Sequence, residues 1–318
     1  MTLVTNAFTT FSSVGKREDL SDMIFNVAPD DTPFVSAIGK EKVTATRTDW
    51  QTDTLAAPAV NAQLQGDTIS PSAITATVLR SNYTQISYKT YAVTGTQEAV
   101  DSAGRSSEWE YQTVKHAKEL KLDMERSLLD NNAAVAGNST TVPELSGVPA
   151  WIKTNTAKAS DATAPTGDGS DAWTAGTARA LAESQLQEVL RECFDSGGDP
   201  DRIFLSGRHK QAFSAFTGNA TRMVNAQDRE LVTAIDIYRS DFGDLQVIPC
   251  RNMDIIGSGD TVDHILVLQT DMWAMGSLRP MFSDRLAKTG DAERGYVLAE
   301  YTLIARNEKA SGIITDLS

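Results

Sequence analysis

Three histidines, His116, His209 and His264, are the side chains of this sequence that most readily do chemistry near neutral pH. A zinc-binding helix would present them as HxxxH or HExxH, and no two of them have that spacing. His116 also follows Lys115 on the charged side of a predicted helix, where a solvated imidazole is expected. The histidines therefore predict no metal centre.

Ser206 precedes His209 by three residues in the stretch LSGRHK, a spacing that superficially resembles a nucleophile and its base. The GxSxG pattern of a nucleophile elbow is missing. Ser206 is also explained as the N-cap of the following helix, where a hydroxyl accepts a backbone amide hydrogen bond. A soluble hydrolase is kept as the least favoured alternative, and loss of activity in Ser206→Ala would be needed to support it.

Acidic turns occur at residues 167–171, GDGSD, and at residues 258–260, SGD. The first lacks the spaced ligands and the distal glutamate of a calcium-binding loop. The chain also has no GxxxxGK[ST] phosphate-binding loop. We therefore predict no catalytic residues, no metal and no cofactor, and a protein that is not an enzyme.

Charge and cysteine content exclude several other classes. Lys and Arg total 29 against 42 Asp and Glu, a formal net charge of −13 over 318 residues, so a free-standing nucleic-acid binder is not expected. Only Cys193 and Cys250 are present, which suits a reducing compartment. No apolar run approaches the roughly 18 residues of a membrane span, and the N-terminus lacks a signal-peptide layout. We expect a soluble, cytoplasmically made protein with no membrane contact.

A long helix over residues 107–131 is the element that organises the rest of the chain. Ser107 and Glu110 have the spacing of a capping box, in which each side chain accepts the other's backbone amide. Lys121 and Glu125 lie four apart, as in an exposed helical ion pair. One apolar stripe follows steps of three and four: Tyr111, Val114, Ala117, Leu120, Met124 and Leu128.

Residues 1–32 are too polar and too broken to form a core, so we interpret them as an arm that docks on another element or another subunit. Met23 and Ile24 are its candidate interface residues. Pro33 then opens a short helix that Gly39 ends.

Residues 43–55 and residues 78–93 alternate like two strands, with a Pro- and Gly-containing loop between them. Paired antiparallel, they would project about 45 Å at about 3.4 Å per residue. An isolated hairpin is marginal in water, so this one must lean on a neighbour. Two strands of an ordinary mixed sheet are the alternative. The large side chains that appear to have no core within the chain are the candidate interface residues: Trp50, Tyr83 and Tyr88.

The second half of the chain predicts a mixture of helices and strands without a βαβ rhythm, which indicates the α+β class. A helix at residues 178–194 is followed by a buried strand at 202–205 and a helix capped by Ser206. A hairpin at 235–249 and an all-apolar strand at 264–268 come next. Two further strands are predicted at residues 296–305 and 311–315.

Five stretches occur in a collinear order that resembles a known family: DTPFVSAIGK, EYQTVKHAKELKLDMERSLL, RIFLSGRHKQAF, YRSDFGDLQVIP and LIARNEKASGIITDL. Together they resemble the major capsid proteins of tailed phages, with the Hong Kong 97-like fold. Within that fold they are most similar to the capsid subunits of the Salmonella phage ten-like group.

The resemblance implies a two-domain wedge with two extensions. Its expected parts are an N-terminal arm (1–38), an extended β-hairpin loop lying on the adjacent subunit (39–95), a peripheral domain (96–199 and 276–306) with spine helix 107–131, and an axial domain (200–275 and 307–318).

The resemblance also implies the function. A structural major capsid protein would self-assemble into pentamers and hexamers of an icosahedral virion shell, formed in the bacterial host cytoplasm around double-stranded DNA that it contacts without sequence specificity. Other copies of the chain are the principal partners, and scaffolding, portal and decoration proteins are candidate partners. An encapsulin-like protein compartment on the same fold is the alternative.

Overall fold

The structure is a computed structural model that describes residues 31–66, 68, 71, 73–100, 106–216, 236–256, 263–288 and 290–318, without the side chains of 254–256. The predicted arm, with its candidate residues Met23 and Ile24, lies outside the described residues except at its last two positions. The predicted short helix after Thr32 is confirmed, and Gly39 begins the first strand.

Helices and strands alternate irregularly along the described residues, and the predicted α+β class is confirmed. The α-helices are α1 Pro33–Ala37, α2 Gly95–Ala99, α3 Glu108–Leu129, α4 Glu183–Asp195, α5 Gly207–Ser214 and α6 Arg251–Ile256. The strands are β1 Gly39–Lys42, β2 Arg47–Thr52, β3 Val78–Tyr83, β4 Gln85–Thr94, β5 Asn155–Ala157, β6 Arg202–Leu205, β7 Ile237–Ser240, β8 Gly243–Pro249, β9 Ile265–Leu268, β10 Trp273–Arg285, β11 Ala292–Ala305 and β12 Gly312–Ile314.

A four-stranded sheet of order β1-β10-β11-β4 carries α3 on one face. β11 is its centre, because it pairs antiparallel with β10 on one side and with β4 on the other. The predicted single strand at 78–93 is wrong: it breaks at Thr84 into β3, which pairs with β2, and β4, which joins this sheet. β10 was not predicted. Its polar outer half lacks a clean alternation.

The observed hairpin is therefore shorter than the predicted 45 Å. The β2–β3 ladder joins six residues of each strand, from the pair Arg47 and Tyr83 to the pair Thr52 and Val78. Beyond it, residues 53–77 form a long loop with no strand among the residues described there.

A six-stranded sheet of order β5-β12-β9-β6-β8-β7 forms the second layer. The predicted strands at 202–205, 264–268 and 311–315 are confirmed and lie at its centre, where every residue of β9 is buried. β5 was not predicted from the sequence. The predicted helix at 178–194 is α4, and its apolar face packs on this sheet through Leu186, Val189, Leu190 and Cys193.

The long helix α3 is confirmed, with three corrections. Ser107 Oγ accepts the Glu110 amide at 3.3 Å, but the carboxylate at this helix start is that of Glu98, which accepts the Ser107 hydroxyl and the next two amides. The apolar stripe is buried only in its second half, and Val114 is 60% exposed. Glu125, predicted to pair with Lys121 at the surface, is fully buried.

The C-terminal strand should be indispensable to folding. β12 lies between β5 and β9, so deleting residues 311–318 would separate β5 from the rest of the six-stranded sheet and uncover β9. We expect this deletion to abolish the cooperative thermal transition followed by circular dichroism. Deleting only the exposed Ser318 is the matched control and should leave it unchanged. A cooperative transition in the larger deletion would contradict this account of the core.

Candidate assembly surface

Asn82 fixes the base of the β2–β3 hairpin to the four-stranded sheet. It is fully buried, and its Nδ2 donates to the carbonyls of Leu303, at 2.8 Å, and Ser146, at 3.4 Å. Its Oδ1 accepts the amides of Ser146 and Tyr83. A buried amide satisfied on both sides resists rotation, because any movement would leave polar atoms without partners. The sequence analysis missed Asn82, because it follows Arg80 and Ser81 in a polar run that does not mark it out.

Trp50 packs on the core, contrary to the reason for which it was chosen. Its ring lies 5.2 Å from that of Trp151, centroid to centroid, and the side chain is half-buried against the main hydrophobic cluster. The statement that Trp50 has no core within the chain is therefore wrong. Its membership of an interface stays a prediction.

Residues 53–77 are the largest exposed apolar segment described. The exposed fractions are 98% for Leu55, 99% for Val60, 82% for Leu64 and 96% for Ile74. Single exposed apolar residues are ordinary, but four on one loop held at a rigid base form a surface that favours contact with another molecule.

A second exposed apolar surface lies on the face of the four-stranded sheet away from α3. Tyr88 of β4, Leu298 of β11 and Phe282 of β10 are consecutive register partners, so their side chains share one face. Tyr88 is 62% exposed, and Tyr296 extends the row through an edge contact with Phe282. We call this row the outer band. Tyr83 does not belong to this row. It follows Asn82 in β3, is half-buried, and donates its backbone amide to Asn82 Oδ1.

Ser206 and His209 do not form a nucleophile and base. Ser206 Oγ accepts the backbone amide of His209 at 3.4 Å, as the predicted cap requires, and both residues are only 1% exposed. The His209 ring instead places Nε2 at 3.1 Å from Oδ1 of Asp263, which also pairs with Arg208. Burial alone would raise the pKa of Asp263, but the adjacent His209 ring and the Arg208 guanidinium lower it. The group is an electrostatic clamp in which the His209 ring is buried and the Arg208 side chain is exposed.

The remaining candidate chemistry is structural as well. In the turn at 166–171, Asp168 accepts the hydroxyls of Thr166 and Ser170, and Asp171 accepts the Thr166 amide, so both carboxylates hold the turn itself. Within the described residues, no three His, Cys, Asp or Glu side chains are placed to bind a metal ion. No helix of that part of the chain has the length and apolarity to cross a bilayer.

Comparison with known proteins identifies the family to which this chain belongs. A family model described as SU10 major capsid protein matches residues 3–318 of the chain. The chain belongs to that family of phage capsid proteins. The major capsid protein of Escherichia phage Phieco32 is 25% identical over 346 residues, which cover 96% of each chain. The role is therefore structural, as a capsid subunit. The narrower resemblance to the Salmonella phage ten-like group stays a prediction.

Solved structures agree on the Hong Kong 97-like fold. A chain from the capsid of a native GTA particle has a TM-score of 0.65 at 13% identity, covering 97% of this chain and 98% of that one. A chain of the SrpI encapsulin complex from Synechococcus elongatus PCC 7942 has a TM-score of 0.56 at 11% identity, covering 96% and 93%. The predicted fold is confirmed, and it is common to capsids and encapsulins.

Trp50 and Tyr88 should respond differently to truncation. Trp50→Ala should lower the free energy of unfolding of the unassembled protein by about 2 kcal/mol, roughly half the cost of truncating a fully buried tryptophan. Tyr88→Ala should change it by less than about 0.5 kcal/mol, because the side chain is exposed. Urea unfolding measures both, and equal losses would show that the two side chains share one environment.

Asp263 should stabilise the protein only above acidic pH. Because its pKa is lowered in the folded state, its contribution is present above the unfolded pKa of about 3.9 and is lost as the pH falls through the lower folded value. Asp263→Asn should therefore lower the melting temperature at neutral pH, and the difference from the wild type should shrink as the pH falls through the folded value. A constant difference at all pH values would contradict the clamp.

Proposed function

We propose that this capsid subunit assembles into the pentamers and hexamers of an icosahedral shell around phage double-stranded DNA. The observation that carries the proposal is the loop at residues 53–77, whose four large apolar side chains are almost fully exposed on a hairpin fixed by Asn82. Burying one such side chain contributes about 1.5–3 kcal/mol. In a closed shell this gain would recur at every subunit.

The occupant of the outer band in this proposal is the loop of an adjacent copy. The loop and the outer band both present exposed apolar side chains. Each subunit carries one loop and one outer band, so the same contact can repeat between identical subunits. The predicted arm, extended loop, peripheral domain and axial domain fit this arrangement with two changes. We assign β4 to the peripheral unit, because it pairs with β11. We assign α4 and β5 to the axial unit, because both pack on the six-stranded sheet.

The other partners follow from charge and from family. A formal charge of −13 disfavours adhesion of the inner wall to packaged DNA, so we propose contact without sequence specificity. Scaffolding, portal and decoration proteins are the further proposed partners, and assembly is proposed to take place in the bacterial host cytoplasm. We also propose that the subunit acts without catalysis, since Ser206 and His209 are buried and occupied.

An encapsulin-like compartment is the second candidate, because the SrpI encapsulin shares the fold. The fold alone does not separate the two. The match of residues 3–318 to a phage capsid family favours the capsid. A shell purified with nuclease-protected DNA would support the capsid, and one that encloses an enzyme and no genome would support the compartment.

The loop can be tested by removing its apolar side chains together. A variant carrying Leu55→Ser, Val60→Ser, Leu64→Ser and Ile74→Ser should unfold at the same temperature as the wild type, because these side chains touch no core. It should yield at least about tenfold fewer closed shells by mass photometry and negative-stain microscopy, after co-expression with the neighbouring phage genes. Tenfold corresponds to about 1.4 kcal/mol.

The matched control changes polar positions of the same loop, Asn61→Ser and Gln63→Ser, whose side chains hydrogen-bond to each other. It should assemble like the wild type. Normal shell yield from the apolar variant would overturn the role of the loop, and loss of shells from both variants would assign the effect to loop conformation.

A further inference from the structure

A groove lies beside α3 on the face of the four-stranded sheet that carries this helix. Ala299 and Tyr301 of β11, both almost fully buried, form part of its floor, and α1 and α3 border it. Its volume is about 390 Å³. Binding pockets usually measure about 300–1,000 Å³, so this groove suits a few side chains of one short segment. We call it the methionine groove, after three of its lining residues: Met124, Met275 and Met281.

The position of α1 at this groove is fixed by buried hydrogen bonds. Glu125 of α3 is fully buried, and its Oε1 and Oε2 accept the amides of Phe34 and Val35, each at 2.8 Å. Both amides belong to the first turn of α1, whose N-cap Thr32 makes no side-chain capping bond. Moving α1 away from α3 would leave these buried polar groups unpaired. The groove is therefore preformed.

The lining of the methionine groove combines apolar and positively charged groups. Methionine side chains are unbranched and polarizable, so they adapt to the shape of an apolar partner. Met281 and Val35 are half-buried and retain surface that a partner can cover. Lys40 and Lys121 are exposed, and the described residues that line the groove include no acidic side chain. The groove thus favours a segment with an apolar face and flanking carboxylates.

Residues 18–27 of the same chain, EDLSDMIFNV, have this chemistry in their sequence and lie outside the described residues. The segment contains three acidic residues and no basic one. In a helix, Glu18, Asp19 and Asp22 would lie off the apolar face. Pro29 disfavours continuation of such a helix. Its apolar face is made by residues at steps of three and four: Leu20, Met23, Ile24 and Val27.

The chain that follows this segment leads directly to the groove. Thr32 lines the groove, and Asp31 pairs with Arg251 of α6 at 3.4 Å. Val27 is five residues before Thr32, so the end of the apolar face lies at most about 18 Å from the groove. A short tether gives the attached segment an effective concentration of about a millimolar or more. This proximity favours the segment of the same copy over that of a second copy.

We propose that the methionine groove is the docking site for residues 20–27 of the same chain, bound as an amphipathic helix with its apolar face in the groove. Lys40 and Lys121 face the acidic residues of the segment. Docking gives the arm a defined position on the unassembled subunit, before any contact with a second copy. The inference therefore does not depend on shell assembly and is tested on the subunit alone.

Engineered disulfides test the docking in the full-length, unassembled protein. Ile24→Cys with Met281→Cys should form a disulfide within the chain at least about tenfold faster than Ile24→Cys with Phe282→Cys. Met281 and Phe282 are neighbours in β10, and Phe282 belongs to the outer band on the opposite face, so the second pair is the matched control. The two native cysteines, Cys193 and Cys250, are buried.

Non-reducing electrophoresis and mass spectrometry distinguish a disulfide within one chain from a disulfide between two chains. Equal rates for the two cysteine pairs would overturn the proposal. Disulfides at Met281→Cys that form only between chains would also overturn it, because the occupant would then be a second copy.

A second measurement leaves the groove unaltered and so does not depend on folding of the cysteine variants. Serine at all four apolar positions of the segment should speed peroxide oxidation of Met281 at least about fivefold, because the thioether loses its cover. Mass spectrometry of the full-length protein measures this rate. Met272, half-buried outside the groove, should be unchanged. The variant carries these substitutions: Leu20→Ser, Met23→Ser, Ile24→Ser and Val27→Ser.

The control for this variant changes polar positions off the apolar face, Ser21→Ala and Asn26→Ala, and should leave Met281 as protected as in the wild type. An unchanged oxidation rate of Met281 in the four-serine variant would overturn the docking. Equal acceleration in both variants would overturn it as well, since the apolar face would then not be the part that covers the groove.

Discussion

The pairing of β11 with a strand on each side is the interaction on which the rest of this structure depends. Its ladders with β10 and β4 satisfy the backbone of a 14-residue strand and define two faces. One face buries Val297, Ala299, Tyr301 and Leu303 and carries α3. The other exposes the outer band. A single strand thus positions both the internal support of the subunit and the surface proposed for its neighbour.

Two extensions are attached to this framework by buried polar groups. Asn82 joins the hairpin to the Leu303 carbonyl of β11, and Glu125 joins the start of α1 to α3. Such contacts are directional, so they set the angle at which an extension leaves the body, which apolar packing alone does not. The hairpin leads to the loop at residues 53–77, whose large apolar side chains are exposed.

Sequence reasoning succeeded where a local pattern decides the outcome. The steps of three and four predicted α3 and α4, Ser206 predicted a helix start, and the apolar run at 264–268 predicted a central strand. It failed where a distant residue decides. The strand breaks at Thr84 because the residues after it pair with β11, and no local sequence pattern marks that position.

The same contrast between local and distant causes applies to the candidate assembly surface. That an irregular loop would separate two strands could be predicted from the sequence, because proline and glycine lie between two polar runs. The contact of Trp50 with Trp151 joins positions about a hundred residues apart. Glu125 looked like half of a surface ion pair because an i, i+4 spacing carries no information about burial. Tertiary packing supplied what the local patterns lacked.

The central claim is that the loop at residues 53–77 is completed by another copy of the chain. Cryo-electron microscopy of assembled particles, at side-chain resolution, tests it most directly. The account predicts closed shells in which Leu55, Val60, Leu64 and Ile74 are buried against the outer band of an adjacent subunit. Shells in which these side chains remain exposed, or preparations that contain only the 34.3 kDa monomer under every condition of co-expression, would contradict it.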